Sequence, residues 1–440
     1  MENRNIRERE ELHKAIWSIA DDLRGSVDGW DFKQYILGIM FYRYISENMT
    51  NYINEGERKA GDDNFDYAKL SDEEAETIRK EMVNEKGFFI LPSELFDNVC
   101  KKAKDDENLN ETLERIFNNI ENSAKGAESE EDFAGLFDDI DVNSNKLGAT
   151  VAKRNDKLVK ILDGIANIPL GNYKDNSIDA FGDAYEFLMS MYASNAGKSG
   201  GEFYTPHDVV QLIATMIEPY DGTLYDPCCG SGGMFIQSAE LVKSKQGNLN
   251  GINVYGQEKE PATYRLAKMN LALRGISHNL GEEADSSFTH DLHKGLHFNY
   301  IMANPPFNLK GWYNDNLKND GRWSDYQTPP ESNANYAWIL HILSHLKKTD
   351  GVAGFLLANG ALNDSDTLEI RKELIQNDKI EAIVVLPREL FITTDISVTL
   401  WILNQNKKGG KYHGRNLRNR EHEILFMDLR QWTENAVKGE

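Results

Sequence analysis

Apolar residues in "ELHKAIWSIADDLRG" (11–25) and "DFKQYILGIMFYRYISENM" (31–49) recur at three- and four-residue spacings, and each segment predicts an amphipathic helix. "LNETLERIFNNIENSA" (109–124) and "NDKLVKILDGIANI" (155–168) carry the same spacing, with polar, acidic stretches such as "GERKAGDDNFDY" between them as loops. Residues 1–165 are therefore expected to form an all-α N-terminal domain. From 166 to 440 the pattern changes. Short apolar runs, "GTLYD", "INVYG", "NYIMA", "GVAGFLLAN", "IEAIVVLP" and "SVTLWILNQ", alternate with the helical segments "HDVVQLIATMIEPY", "PATYRLAKMNLALRG", "NYAWILHILSHLKK" and "DTLEIRKELIQND". Such alternation predicts an α/β fold, a doubly wound parallel sheet covered by helices on both faces. The last two runs are joined by only "RELFITTDI", too short for a helical crossover, so one antiparallel strand is expected near the edge.

Composition narrows the context. The N-terminus "MENRNIRERE" has no apolar core, and no apolar run approaches the roughly 18 residues of a membrane span. Three cysteines in 440 residues, two of them adjacent, make no disulfide framework, and neither Cys-x-x-Cys nor His-Glu-x-x-His occurs. A cytoplasmic protein without a zinc site is expected. The formal charge is −22, split as 37 acidic against 23 basic residues (−14) in 1–170 and 34 against 26 (−8) in the remainder. Nucleic-acid binders usually show the opposite balance, because neutralising phosphates drives their affinity. If this chain works on nucleic acid, a partner supplies much of the grip.

Chemistry concentrates after the strand ends. "DPCCGSGG" (226–233) turns on Gly230, Gly232 and Gly233, which permit a tight backbone and close approach to a ligand. It matches neither the nucleoside triphosphate P-loop nor the full Gly-x-Gly-x-x-Gly dinucleotide spacing. Glu258 ends the second run, where doubly wound folds place an acid that accepts from ribose hydroxyls. A glycine turn without phosphate-binding features plus a ribose acid points to a nucleoside cofactor lacking phosphates, such as S-adenosylmethionine. Asp285, in "EEADSS", is placed to accept from an adenine amine or from solvent.

"IMANPPFN" (301–308) leaves an apolar strand through two adjacent prolines, which remove two backbone donors and end any central strand. Alone, the tetrapeptide Asn304-Pro305-Pro306-Phe307 is equally a rigid loop around a buried ring. After a glycine turn and a ribose acid, in that order, it reads as a mould for a nucleobase amine. The Asn304 oxygen and a proline-held carbonyl accept its two hydrogens, and Phe307 stacks a base taken out of the helix. Cys228, Cys229 and His207 do not make a nucleophilic site, because adjacent strand cysteines point to opposite faces and no third orienting group is present.

These motifs, in the order "GGEFYTP", "DPCCGSGG", "NPPF", resemble the modification (M) subunit of type I restriction–modification systems, adenine-N6 DNA methyltransferases of the amino-methyltransferase class. The resemblance spans nearly the whole chain. It implies an S-adenosylmethionine-dependent catalytic domain and a cofactor lined by Glu202, Phe203, Tyr204, Thr205, Pro206 and His207. Asp226, Gly230, Ser231, Gly232, Gly233, Glu258 and Asp285 complete that lining. It further implies double-stranded DNA with a flipped adenine as substrate, a specificity (S) subunit that chooses the sequence, two M per S, and a restriction (R) subunit in the full complex. The motif itself leaves cytosine N4 open as the target, and a non-catalytic cofactor-binding module is the reading of a different class. Read as local structure, Thr205 is a candidate helix cap and Pro206 a candidate first helical residue. Relatives continue into a C-terminal helical extension that packs on the S subunit; here the chain ends soon after "HEILFMDLRQW", so a shortened C-terminal region is expected. The basic run "NKKGGKYHGRNLRNR" (406–420), with six Lys or Arg, is either a solvated loop or a track for a DNA backbone.

Overall fold

The computed structural model describes residues 11–16, 18–19, 29–127, 129–168, 205–246, 251–388, 390 and 397–431. The chain divides into two compact units, 1–196 and 197–440.

In the first unit the principal helices are α1 (Gly29–Ala60), α2 (Phe96–Lys102), α3 (Leu109–Ser123) and α4 (Val151–Ala166). Their buried stripes follow the sequence spacing: Leu109, Leu113, Ile116, Phe117 and Ile120 on α3, and Leu158, Ile161, Leu162 and Ile165 on α4. Tyr42 of α1 meets Phe96 and Phe117 edge to face, and Phe117 stacks on Phe137 with centroids 4.5 Å apart. Arg43 donates to the carbonyls of Ile165 (2.6 Å) and Ile168 (2.8 Å), closing the C-terminal end of α4 where helix carbonyls lack partners. Gly38 has no room for a side chain, since a Cβ would stand 1.8 Å from Ile140.

The second unit is built on one eight-stranded sheet. Its strands are β1 (Gly222–Asp226), β2 (Ile252–Gly256), β3 (His278–Asn279), β4 (Tyr300–Ala303), β5 (Val352–Ala358), β6 (Ile380–Val385), β7 (Val398–Asn404) and β10 (Leu425–Asp428), in the order β10-β6-β7-β5-β4-β1-β2-β3. Only β7 runs antiparallel among these, paired with β5 and β6, so the short connection after β6 reverses the chain as its length requires. It lies third from the β10 edge. The covering helices are α5 (His207–Ile217), α6 (Gly233–Gln246), α7 (Pro261–Leu273), α8 (Asn335–His345) and α9 (Leu368–Gln376).

Alternation along β4 shows the double cover. Tyr300 and Met302 pack with Ile213 of α5, Phe235 of α6 and Leu271 of α7, while Ile301 and Ala303 pack with Trp338 of α8 and Ile370 of α9. Every residue of β5 is buried, which accounts for its unbroken apolar run.

Beyond residue 405 no element is predicted, yet three strands follow. β8 (Gly410–Tyr412) and β9 (Arg415–Leu417) form a hairpin whose two-residue turn, His413 and Gly414, has φ +46° and +78°, as a tight hairpin of this length needs. The hairpin lies against the ends at which β4 and β1 begin: Tyr412 donates to the Ile217 carbonyl, Arg415 pairs with Glu218, and Tyr300 Oη meets His413 Nε2 at 3.1 Å. The basic run is thus largely paired. Arg418 binds Glu423, Arg420 binds Glu381, and buried Lys407 donates to Asp378 (2.6 Å) and to the carbonyls of Ile380 (2.9 Å) and Glu423 (2.6 Å). Replacing Lys407 by Ala strands three acceptors and is expected to lower stability by about 3 kcal/mol. Urea unfolding of the variant beside wild type measures this, and an unchanged midpoint would contradict it.

Candidate active site

In an open α/β sheet, ligands bind beyond the carboxyl ends of the strands where the order reverses. Here β1 is followed outward by β2 and β3 on one side, while β4 and β5 extend on the other, so the reversal lies between β1 and β4. The glycine turn and the Asn-Pro-Pro-Phe turn leave these two strands side by side.

The first turn is held by backbone donors. Gly230 (φ +55°) and Gly232 (φ +83°) occupy the left-handed region, which side chains with a Cβ rarely adopt. Gly230 N–H donates to Glu258 Oε2 (3.0 Å), and Glu260 N–H to Oε1 (2.8 Å), so the buried carboxylate at the end of β2 clamps the β1 turn. Lys259 N–H adds a third backbone donor, so about one of the carboxylate's four acceptor positions is left. Asn270 of α7 donates to the Ser231 carbonyl at 2.9 Å, fixing the rest of the loop.

Asp226 is fully buried one strand away, and its Oδ1 accepts Cys228 N–H at 3.0 Å. Burial pushes its carboxyl up to about 7, against the pull of the Cys228 hydrogen bonds and with a further push from Glu258. Burial also raises Glu258. Cys228 and Cys229 fall into the cores on opposite sheet faces, and burial beside these carboxylates pushes both thiols up, away from nucleophilic character. Cys229 Sγ fills the space beside Gly256, 3.1 Å from where a Cβ there would lie.

Asp285 is half-buried, and its side chain is already engaged. Its Oδ1 accepts Ser286 N–H (2.6 Å) and its Oδ2 meets His290 Nδ1 (2.8 Å), while its own N–H donates to the Glu258 carbonyl (3.0 Å). Sequence reasoning missed the residue that places this loop. Gln257, buried at the end of β2, donates to the carbonyls of Asp285 (3.0 Å) and His290 (2.7 Å) and accepts Leu292 N–H (3.1 Å). Arg322 fastens the same loop from the other side, through the carbonyls of Ser287 and Phe288 (2.6 Å each). It also donates to His341 Nδ1 (2.9 Å); burial, with His345 and Arg322 nearby, holds His341 well below the usual range and leaves that nitrogen an acceptor. Only the polarity of such isolated residues signals them in sequence, since their partners lie tens of residues away.

β4 ends at Ala303, and Asn304 follows. Its Nδ2 donates to Thr205 Oγ1 at 2.9 Å, while its Oδ1 is buried with no hydrogen-bond partner among the described residues. A buried acceptor left in this state is costly unless a ligand supplies the donor. Phe307 is half-buried against the core. Asn308 sits at φ +54° and exchanges two amide bonds with Asn335 at the start of α8, 3.0 and 2.8 Å, which anchors the turn from behind. The helix after Thr205 starts differently from expectation. Pro206 is its cap, no side chain caps it, and the Thr205 hydroxyl goes to Asn304 instead. Glu202, Phe203 and Tyr204 lie outside the described residues, as does the side chain of His207, whose backbone opens α5.

Thr205, the 226–233 turn, Glu258, Asp285 and the 304–307 turn are thus gathered around the ends of β1, β2 and β4. The residues fit a nucleoside cofactor: a buried acid with an acceptor position to spare and a glycine turn open to close approach. Sheet and site define an S-adenosylmethionine-dependent methyltransferase. The N-6 DNA Methylase family matches residues 176–439, and the HsdM N-terminal domain family matches 12–165. The type I restriction enzyme MpnII methylase subunit of Mycoplasma pneumoniae is 40% identical over 431 residues, 92% of this chain and 78% of that protein. The HindI methylase subunit of Haemophilus influenzae is 43% identical over 255 residues, 58% of this chain and 55% of that protein. Among solved structures, the type I restriction–modification methyltransferase subunit of Streptococcus thermophilus superposes with a TM-score of 0.75 at 28% identity, over 94% of this chain and 91% of that one. The chain belongs to the methylase subunits of type I restriction enzymes, adenine-N6 DNA methyltransferases that use S-adenosylmethionine.

Because the folded Asp226 binds its proton up to about pH 7 and an unfolded one only to 3.8, its contribution to stability is full at low pH and is lost as pH rises through 7. Asp226→Asn keeps an acceptor for Cys228 N–H and removes that loss. In the absence of cofactor its melting temperature should exceed wild type by more at pH 8 than at pH 5. A pH-independent difference would refute a neutral Asp226 in the free enzyme.

Proposed function

We propose that Asn304 Oδ1 and the Pro305 carbonyl accept the two hydrogens of adenine N6, which localises the amine lone pair for attack and disperses the charge that develops. The observation that carries this reading is the Oδ1 at the end of β4, buried and without a hydrogen-bond partner among the described residues. S-adenosylmethionine supplies an electrophilic methyl group whose sulfur leaves neutral. Pro305 and Pro306 hold the acceptors rigid, and Phe307 presents its ring to the flipped base. The amine turns acidic once its new bond forms, so no strong general base is required. Glu258 accepts from the ribose hydroxyls, the 230–233 turn lets the cofactor approach the backbone, and Asp226 and Asp285 belong to the same cofactor lining. Thr205 and Pro206, with Glu202, Phe203, Tyr204 and His207, form the remaining cofactor wall. Asn304→Ala should reduce methyl transfer about a hundred- to a thousandfold by the loss of a preorganised contact, on the order seen when an oxyanion donor is deleted. Tritiated-methyl incorporation reads the rate and calorimetry the retained cofactor affinity; wild-type activity would remove Asn304 from the reaction.

The target sequence in double-stranded DNA is read, on this proposal, by a specificity subunit carrying two copies of this chain, with a restriction subunit in the full complex. The three free thiols suit the cytoplasm. Net charge of −22 supports the division of labour, and so does the position of the basic run, where most cations are paired and the hairpin lies at the end of β4 remote from Asn304. In a gel-shift titration at about 150 mM salt, the isolated chain should bind DNA weakly and without sequence preference, with tight binding restored by the specificity subunit. Lys408→Glu with Lys411→Glu should leave binding by the assembled enzyme unchanged. Tight selective binding by the chain alone would overturn this.

A further inference from the structure

The geometry points to Asn335 as a positioning residue for methyl transfer, one that holds the turn carrying Asn304 and Phe307 from its exit side. This rests on the role proposed for Asn304. Asn335 is buried at the first position of α8, followed by the buried Tyr336, Ala337 and Trp338, and that helix has no side-chain cap. Among the described residues both ends of its amide go to Asn308: Oδ1 accepts Asn308 N–H at 3.0 Å, and Nδ2 donates to Asn308 Oδ1 at 2.8 Å. A backbone N–H only donates, which fixes the orientation of the Asn335 amide. Asn308 itself stands at φ +54°, a left-handed conformation that residues with a side chain populate sparsely. Beside this pair, Ala334 N–H donates to the Leu309 carbonyl at 3.0 Å, so the excursion between 309 and 334 returns to the point where it left. The turn is thereby gripped at both ends. Ala303 pairs with Phe355 in the sheet, Asn335 fixes the peptide between Phe307 and Asn308, and the two prolines between them hold φ at about −65°. Few free dihedrals are left to the Pro305 carbonyl and the Phe307 ring. A buried amide is costly in an apolar core, where leucine would fill a similar volume. Without Asn335, Asn308 N–H loses its acceptor and the left-handed turn its brace, and the groups around the base amine are no longer preorganised.

Single-turnover methyl transfer at saturating cofactor and DNA tests this in the enzyme assembled with its specificity subunit. Asn335→Leu keeps the volume and loses both hydrogen bonds; its rate should fall about ten- to a hundredfold. Asn335→Asp keeps an acceptor for Asn308 N–H, and the Asn308 amide can turn to offer its NH2 to the second oxygen, so most of the rate should return. Placed in the Asn304→Ala enzyme, Asn335→Leu should cost less than about threefold more, because the contact it positions is already gone. A loss of folded protein would instead multiply the two defects. Asn308 lies at the surface and tests the turn without touching the core: Asn308→Gly, free to adopt a positive φ, should be about tenfold faster than Asn308→Val. An unimpaired Leu variant, an Asp variant as slow as Leu, fully multiplied losses in the double variant, or Asn308→Val as fast as Asn308→Gly would each overturn the assignment. An Asn304→Ala enzyme at wild-type rate would instead sink the reading of Asn304, whereas an impaired one beside a fully active Asn335→Leu would sink the role of Asn335 alone.

Discussion

A sheet buried on both faces has no place for an unpaired polar group except at its strand ends. In this chain β4 and β5 are apolar throughout, their alternating residues shared between two helical layers. Polar side chains with work to do are displaced to the carboxyl ends of β1, β2 and β4. There backbone ladders stop and donors are released, and Glu258 shows the consequence: its two oxygens collect N–H groups from the turn after β1 and the entry to α7. One carboxylate thereby sets the spacing between two loops. The prolines after Asn304 apply the same constraint by removing donors, so the chain leaves the sheet at a defined residue.

Much of this was legible in sequence because the strand-end signals are local. A glycine turn, an acid ending the next strand and a proline pair each declare themselves within a few residues, and the reversed strand followed from a connection too short for a helix. The contacts that hold the site were not legible. Gln257 bridges to residues 28 to 35 positions later, and Asn308 to Asn335. Thr205 reads locally as a helix cap, yet tertiary structure gives its hydroxyl to Asn304, 99 positions away. Local propensity has no access to such pairings. Glu202, Phe203 and Tyr204 carry the resemblance to the family but lie outside the described residues, so their place in the site rests on that resemblance.

The basic run shows how composition misleads when partners are distant. Six cations in fifteen residues look like a phosphate track. Folded, five of them face Glu218, Asp378, Glu381, Glu421 and Glu423, acids drawn from both sides of the sequence. Exposed pairs of this kind add little to stability. Lys407 differs, because it is buried and its three donors join the start of β6 to the segment before β10. The run therefore serves mainly to tie together the ends at which β1, β4 and β6 begin.

Two raised carboxyls beside a glycine turn are a poor way to stabilise a fold. Asp226 near 7 and the raised Glu258 repel one another in a dry environment, and burying ionisable groups there costs more than apolar residues would. The arrangement makes sense for a ligand that brings positive charge and hydroxyl donors. On the proposed cofactor role, binding would favour the ionised carboxylates that folding alone penalises, and would relieve an instability held by the free protein. On the proposed roles, the Asn304 oxygen, without a partner among the described residues, follows the same logic on the substrate side: the fold leaves each group incomplete, and a different reactant would complete it. Asp226 ends β1 and Asn304 follows β4, and these strands are neighbours, so both demands meet at the one point where the strand order reverses.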